Sequence, residues 1–185
     1  MNEVLKVIAN RRSIRKYKSE QIKDEELNMI IEAGLQAPSG HNDQPWFFTV
    51  IQNRELLKEI NEKSKEELKK SRIDWMVKMG ENPVLDLLYG APTAIAVAVK
   101  EDAISPNADE GAAIQNILIA AESIGIGSCW IGLTTSYFKE KENLKKLGIP
   151  EGYRVHYMVT LGYKEEGLNL SAPKRKNTDC IKFIK

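Results

Sequence analysis

The sequence predicts an α+β protein, or a three-layer α/β/α arrangement built around a mixed sheet. Segments with the apolar spacing of helices and short β-branched or aromatic segments both occur, but they do not alternate in the regular rhythm of βαβ units. The chain has 185 residues, a length that suits one folding unit. Because no repeat or Pro/Gly-rich linker divides it, we expect residues 1–185 to form a single domain.

The first half of the chain predicts a helix, a strand and a charged helical region. Residues 24–35 place apolar side chains at helical spacing, with Asp24 as a candidate N-cap and Pro38 as a stop. The sequence WFFTVI, residues 46–51, is short, aromatic and β-branched, which is typical of a strand. Residues 54–72 are mostly charged with a thin apolar stripe, so we expect one or two surface helices there.

The second half predicts a fully buried strand and a helix that is apolar on nearly every side. Residues 93–100 are apolar along almost their whole length, as in a strand covered on both faces. Residues 108–127 combine helical spacing with small side chains, so this helix must lie at the centre of the domain or in a subunit interface. Residues 128–133 and 153–163 are further candidate strands, with a short helix around Leu144 between them.

Composition excludes several classes of function. The 27 basic and 26 acidic side chains leave a net charge of +1, whereas general nucleic-acid binders carry a basic excess. No apolar run has the length of a signal peptide or a membrane span, so we expect a cytoplasmic protein. Two cysteines and two histidines are too few and too far apart for a disulfide framework or a zinc site, and we expect no metal.

Two segments carry groups suited to an anionic, planar ligand. Residues 11–18 hold five basic side chains, and Arg11, Ser13 and Arg15 alternate as on one side of an extended stretch. Guanidinium groups donate paired hydrogen bonds to phosphate oxygens. The turn-rich segment 37–46 carries amide side chains, which both donate and accept, as recognition of a heterocycle edge requires.

Two further segments complete the pattern, namely the glycine-flanked residues 129–132 and a second basic cluster at residues 174–176. Each of the four segments alone is an ordinary feature: a solvated basic loop, a turn, a core tryptophan or a surface charge run. Their joint occurrence in this order favours a shared ligand site.

Together these segments resemble the FMN-dependent nitroreductase family, and the resemblance extends over nearly the whole chain. It rests on RRSIRKY, QAPSGHNDQPWFFTVI, GAPTAIAVAV, DEGAAIQNILIAAESIGIGSCWIG, and LGY followed by PKRK. It implies a three-layer α/β/α fold with a mixed, mainly antiparallel sheet, and an intertwined homodimer that binds FMN at the subunit interface. It also implies reduction of FMN by NADH or NADPH, followed by ping-pong reduction of nitroaromatics, quinones or similar electron-poor acceptors.

The resemblance assigns the FMN contacts to three sets of residues. The phosphate and ribityl chain would contact Arg11, Arg12, Ser13, Arg15, Lys174 and Lys176, with Arg175 as a possible substitute for either lysine. The flavin would be approached by Pro38, Ser39, Gly40, Asn42 and Gln44, some of them from the partner subunit, and lined by Cys129, Trp130, Ile131 and Gly132. The sequence shows no catalytic triad, so we expect the flavin to carry the chemistry.

The chain departs from larger members of the family in the segment 82–92, which is short and largely apolar. Trp75, Met76 and Met79, just before it, are predicted to pack into the core, with coverage of the flavin as the alternative. Three other functions remain open: a specialised flavin reaction such as reductive dehalogenation, a flavin-binding carrier or sensor without turnover, and nucleic-acid binding by residues 11–18.

Overall fold

The computed structural model describes residues 1–172, 176–177 and 179–185, so the predicted contacts of Lys174 and Arg175 lie outside the described residues. The helices are α1 (Glu3–Asn10), α2 (Asp24–Leu35), α3 (Arg54–Lys69), α4 (Asp74–Glu81), α5 (Pro106–Ser123) and α6 (Lys141–Lys146). The strands are β1 (Trp46–Ile51), β2 (Thr93–Lys100), β3 (Gly127–Ile131) and β4 (Tyr153–Gly162), and short 3₁₀ helices cover Gly40–Asn42 and Tyr137–Lys139. None of the described helices combines the length and apolar character needed to cross a bilayer.

The four strands form one sheet in the order β1-β2-β4-β3, and each neighbouring pair is antiparallel. An isolated parallel bridge between Ser13 and Ser128 adds the N-terminal segment to the β3 edge. The predicted strands at 46–51 and 93–100 form with those bounds. The α+β class and the mainly antiparallel sheet are therefore confirmed.

Helices cover both faces of the sheet. On one face, α2 and α5 pack against a cluster that includes Ile95 and Val97 of β2. On the other face, α3 and the 137–147 region pack against a cluster that includes Ala94 and Ala96. Successive side chains of a strand point to opposite faces, so every position of β2 except Lys100 is buried, as its unbroken apolar run predicts.

The central helix α5 is buried as expected, but its first half contains an unpredicted feature. Pro106 occupies the first turn, where its missing N–H costs nothing. The helix ends where Gly125 adopts a left-handed conformation with φ of 81°. Between these ends Asp109 and Glu110 are buried with the apolar residues, which the sequence pattern does not predict.

Two local predictions are wrong. Asp24 is the first residue of α2 rather than its N-cap, because Lys23 takes that place and the Glu26 carboxylate accepts the Lys23 N–H. Trp75 is 52% exposed and does not pack into the core. Helix α4 approaches α3 through Gly80, where an added Cβ would lie 2.7 Å from the backbone oxygen of Lys65, and Trp75 lies outside this contact.

Candidate functional site

The N-terminal basic segment is fixed against the edge strand β3. The Ile14 N–H donates to the Ser128 oxygen at 2.9 Å, and the Ile14 side chain is buried. The approach is close, because a Cβ on Gly127 would lie 3.0 Å from the Ile14 side chain. With Ile14 buried, its neighbours Ser13 and Arg15 are exposed, as the alternating pattern predicts.

Arg11 and Arg15 are available for a ligand. Among the described residues neither guanidinium has a carboxylate within 4.0 Å, and the Arg15 guanidinium carbon lies 5.7 Å from the ring centroid of Tyr89. Burial raises the pKa of the Cys129 thiol, whereas Arg15, a hydrogen bond with Ser13 and Arg11 act in the opposite direction. Both arginines and Ser13 therefore lie near one buried residue of β3.

The Arg12 side chain is placed differently from those of Arg11 and Arg15. Its guanidinium donates to the backbone oxygens of Ala9, Arg11 and Leu170, at 2.8, 2.6 and 3.1 Å. Through these hydrogen bonds the Arg12 side chain connects the end of α1 to the segment after β4.

The chain returns beside the basic segment after β4. Lys18 N–H donates to Tyr163 O, and Glu165 N–H donates to Lys16 O. Leu170, whose oxygen accepts from Arg12, lies six residues before the exposed Lys176. Six extended residues span about 20 Å at most, so Lys176 lies within about that distance of Leu170.

The predicted loop at residues 38–44 has an unusual backbone. His41, Asn42 and Gln44 adopt positive φ angles of 53°, 59° and 50°. Ser39 Oγ accepts the Gln44 N–H at 2.9 Å, and Gln44 Nε2 donates to Asn42 Oδ1 at 3.2 Å. The side chains of residues 41–44 are exposed, so their polar groups face outward.

No polar contact links the loop to the basic segment within the described part of one chain. No hydrogen bond or ion pair among the described residues joins residues 38–44 to residues 11–15. Helix α5 links the loop to β3 instead: the Gly40 N–H donates to Asp109 Oδ1 at 3.1 Å, and a Cβ added at Gly111 would lie 3.8 Å from Trp130 Cη2.

The predicted ring-lining residues differ in their access to a ligand. Cys129 and Ile131 are buried in the core, whereas Trp130 is half-buried and Gly132 is exposed. The Trp130 ring packs edge-on against Tyr157, with centroids 5.2 Å apart. Of these four residues, only Trp130 of β3 and Gly132, directly after the strand, therefore have surface accessible to a ligand.

Sequence reasoning missed the buried acids of α5. Burial raises the pKa of Glu110 to about 7, against the opposing effects of the His156 N–H and of Arg154. Glu110 Oε1 accepts that N–H at 3.2 Å, and the His156 Nδ1 lies 3.3 Å from Oε2. Two adjacent acidic residues at the start of an otherwise apolar helix are the signal that could have identified them.

Comparisons with known proteins show which family this chain is similar to. The family model described as "Nitroreductase family" matches residues 8–163. The crystal structure of a nitroreductase with bound FMN from Bacteroides fragilis has a TM-score of 0.91 and 36% identity, with 100% of both chains covered. A protein of Archaeoglobus fulgidus named "Putative NADH dehydrogenase/NAD(P)H nitroreductase" is 37% identical over 187 residues, which cover 98% of this chain and 97% of the relative.

A more distant relative is iodotyrosine deiodinase 1 of Rattus norvegicus, which is 28% identical over 198 residues, covering 97% of this chain and 68% of that protein. The family match extends over far more than half of the residues, and it includes the basic segment, the 38–44 loop and β3. The chain therefore belongs to the nitroreductase family.

Proposed function

We propose that this protein is an FMN-dependent oxidoreductase that takes hydride from NADH or NADPH and reduces nitroaromatics, quinones or similar electron-poor acceptors. The observation that carries the proposal is the pair of arginines, Arg11 and Arg15, held beside β3 with no carboxylate partner among the described residues. Unpaired guanidinium groups next to an exposed serine suit a phosphate dianion. The FMN bound to the nitroreductase from Bacteroides fragilis supports the proposal that the phosphate belongs to FMN.

The donor set fits FMN at both ends. Arg11, Ser13 and Arg15 would hold the phosphate, with Lys176 and its neighbours Lys174 and Arg175 as further cations. The outward amides of the 38–44 loop would recognise the flavin heterocycle, and Trp130 and Gly132 would supply surface beside the ring. Arg12 would act indirectly, since its donors already bind backbone oxygens.

We further propose that the whole chain works as one domain of a cytoplasmic homodimer, in which the loop of one subunit completes the site of the other. Among the described residues of one chain, no hydrogen bond or ion pair joins the loop to the basic segment, which supports this arrangement. Apolar side chains are also left exposed on α1 and in the C-terminal tail. They are Val4, Leu5, Ile8, Ile181, Phe183 and Ile184, each at least 50% exposed. A second subunit would remove these side chains from water.

Bound FMN would supply the two-electron chemistry, accepting hydride from the nicotinamide and passing it to the acceptor. The protein's own part is binding and orientation. Arg11 and Arg15 would neutralise the phosphate, because a dianion without cationic partners is costly to bury. Cys129 fills the core on the face of the sheet opposite the Trp130 ring, and since burial raises the pKa of its thiol it remains protonated and apolar at neutral pH.

The first test is the visible spectrum of the purified protein, followed by FMN titration of the Arg11→Ala/Arg15→Ala variant. Each lost charge-assisted hydrogen bond is worth about 1.5–3 kcal/mol, so we expect FMN affinity to fall about 100-fold or more. Arg72→Ala is the matched control, because Arg72 is an exposed arginine between α3 and α4. Full flavin occupancy of the double variant in dilute solution would overturn the phosphate assignment.

Turnover separates an enzyme from a carrier. The flavin-loaded protein should oxidise NADH or NADPH continuously when a quinone or nitroaromatic is present. A single reduction without turnover would instead indicate a carrier or sensor. Binding of nucleic acid that weakens steeply with salt, in a colourless protein, would identify residues 11–18 as a nucleic-acid site.

Reductive dehalogenation is a second candidate, favoured by the similarity to the rat protein named iodotyrosine deiodinase 1. The two reactions are distinguished by supplying the reduced protein with iodotyrosine and measuring iodide release. Iodide release at a rate above that of quinone reduction would favour dehalogenation.

A further inference from the structure

The loop at residues 38–44 contains three residues in a left-handed backbone conformation. His41, Asn42 and Gln44 all have positive φ angles, between 50° and 59°. This left-handed region is costly for most residues that carry a Cβ, although Asn and His adopt it more readily than Gln does. Three such residues within four positions persist where their surroundings over-determine them. The surroundings of the loop must therefore contain a structural restraint.

Hydrogen bonds inside the loop are insufficient as that restraint. The bonds from the Gln44 N–H to Ser39 Oγ and from Gln44 Nε2 to Asn42 Oδ1 close the loop on itself. They do not attach it to the rest of the fold. Within the described part of the chain, one hydrogen bond joins residues 38–44 to another element, and it runs from the Gly40 N–H to Asp109 Oδ1 at 3.1 Å.

Asp109 is built into the start of α5 to accept this bond. Its residue is only 3% exposed. The Ser105 hydroxyl donates to the same Oδ1 at 3.2 Å, and the Asp109 N–H donates to the Ser105 oxygen at 3.0 Å. A buried carboxylate is costly unless donors compensate it. Here the hydroxyl and the loop both donate to Oδ1, whereas the buried Oδ2 has no hydrogen-bond partner among the described residues. We call Ser105 and Asp109 the α5 clamp.

Gly40 lies directly against this clamp. A Cβ at Gly40 would lie 2.6 Å from Ser105 Oγ, a separation that real Cβ atoms do not show. The absence of a side chain at residue 40 therefore allows the loop backbone to reach Asp109.

We propose that the α5 clamp positions the loop for flavin binding, so that Ser105 and Asp109 are positioning residues of the site. The inference rests on the proposed function. It attributes the orientation of the Asn42 and Gln44 amides to the hydrogen bond between the Gly40 N–H and Asp109. A loop that is ordered before the ligand arrives does not lose that conformational entropy on binding.

The test compares Asp109→Ala with Asp109→Asn in the full-length protein, using quenching of flavin fluorescence to measure FMN affinity. Removing the acceptor should weaken FMN binding roughly tenfold, the value of about one hydrogen bond. The Asp109→Asn variant keeps an oxygen that can accept the Gly40 N–H, so its affinity should stay within about threefold of the wild type.

Ile60→Val controls for a loss of stability alone. Ile60 is fully buried in α3 on the opposite side of the sheet, and the substitution lowers stability without touching the loop. FMN affinity should be unchanged in this variant. An equal loss of affinity in Ile60→Val and Asp109→Ala would overturn the proposal.

A double-mutant cycle provides a second, independent test. Gly40→Ala should weaken FMN binding because its Cβ meets Ser105 Oγ, and adding Ser105→Ala should restore part of the affinity by removing that oxygen. Additive losses at residues 40 and 105 would contradict the clamp. Failure of the clamp can be distinguished from failure of the proposed function. If the wild-type protein binds no FMN, the proposed function is refuted. If the wild type binds FMN and the Asp109→Ala variant binds it equally well, only the role of the clamp is refuted.

Discussion

Glu110→Gln should make the protein more stable at pH 8 and have much less effect at pH 4. Burial raises the pKa of Glu110 from 4.5 to about 7 in the folded chain. Between these two values the unfolded chain loses its proton while the folded chain keeps it, so stability falls as the pH rises. Above pH 7 the stabilising contribution of the protonated carboxyl is lost.

The size of the effect follows from the pKa difference. One pKa unit corresponds to about 1.4 kcal/mol, so the rise to about 7 corresponds to about 3 kcal/mol. The stability of Glu110→Gln minus that of the wild type should therefore increase by about 3 kcal/mol from pH 4 to pH 8. The pKa of His156 is lowered mainly by burial and to a smaller extent by Arg154. Because His156 is present in both proteins, its titration contributes equally to both stabilities.

Urea unfolding of the flavin-loaded protein at a series of pH values measures this difference. Glu26→Gln is the matched control with the opposite sign. Hydrogen bonds from Tyr163 and from the Lys23 N–H lower the pKa of Glu26, so the wild type loses that contribution as the pH falls. A stability difference for Glu110→Gln that does not change with pH would refute the reasoning.

The remaining predictions concern the dimer and the packing. Truncation before Cys180 should lower the dimer fraction in sedimentation, since it removes the exposed apolar tail, and an unchanged profile would argue against a tail that crosses to the partner. Gly162→Ala should cost about 1–3 kcal/mol in urea unfolding, because its Cβ would lie 2.9 Å from both Pro92 and Tyr17; unchanged stability would show that these rings can move apart. Trp75→Ala should change the thermal midpoint little, because the side chain is 52% exposed, and a large loss would place Trp75 in an interface.

The sequence predicted strands β1 and β2 well because each is a short run of mostly apolar residues. WFFTVI and TAIAVAVK contain almost only residues that favour strands or fill their faces, and their observed bounds match the predicted ones. The position of Ser13 and Arg15 on one exposed side of an extended segment was also predictable, since it follows from alternation. These features depend on neighbours in the sequence.

The contact between Gly40 and the α5 clamp could not be predicted from neighbouring residues in the sequence. Gly40 and Asp109 are 69 residues apart, and no local pattern relates them. An acid near the start of a helix is also common for another reason, because it interacts favourably with the helix dipole. Trp75 shows the converse error: helical spacing suggested burial, but the side of α4 that faces α3 carries Gly80.

The two adjacent acids of α5 differ in what surrounds them, and this difference supports separate roles. Asp109 Oδ1 accepts from a hydroxyl and from the loop backbone, so its carboxylate has a structural use as an acceptor. Glu110 accepts one backbone N–H from β4, but burial has the larger effect on its pKa. The raised pKa favours the protonated form of Glu110 near neutral pH. Substitution at residue 109 should therefore act mainly on flavin affinity, and substitution at residue 110 mainly on the pH dependence of stability. If both variants changed the same property by the same amount, the two carboxyl groups would form a single unit, and the clamp would have no separate function.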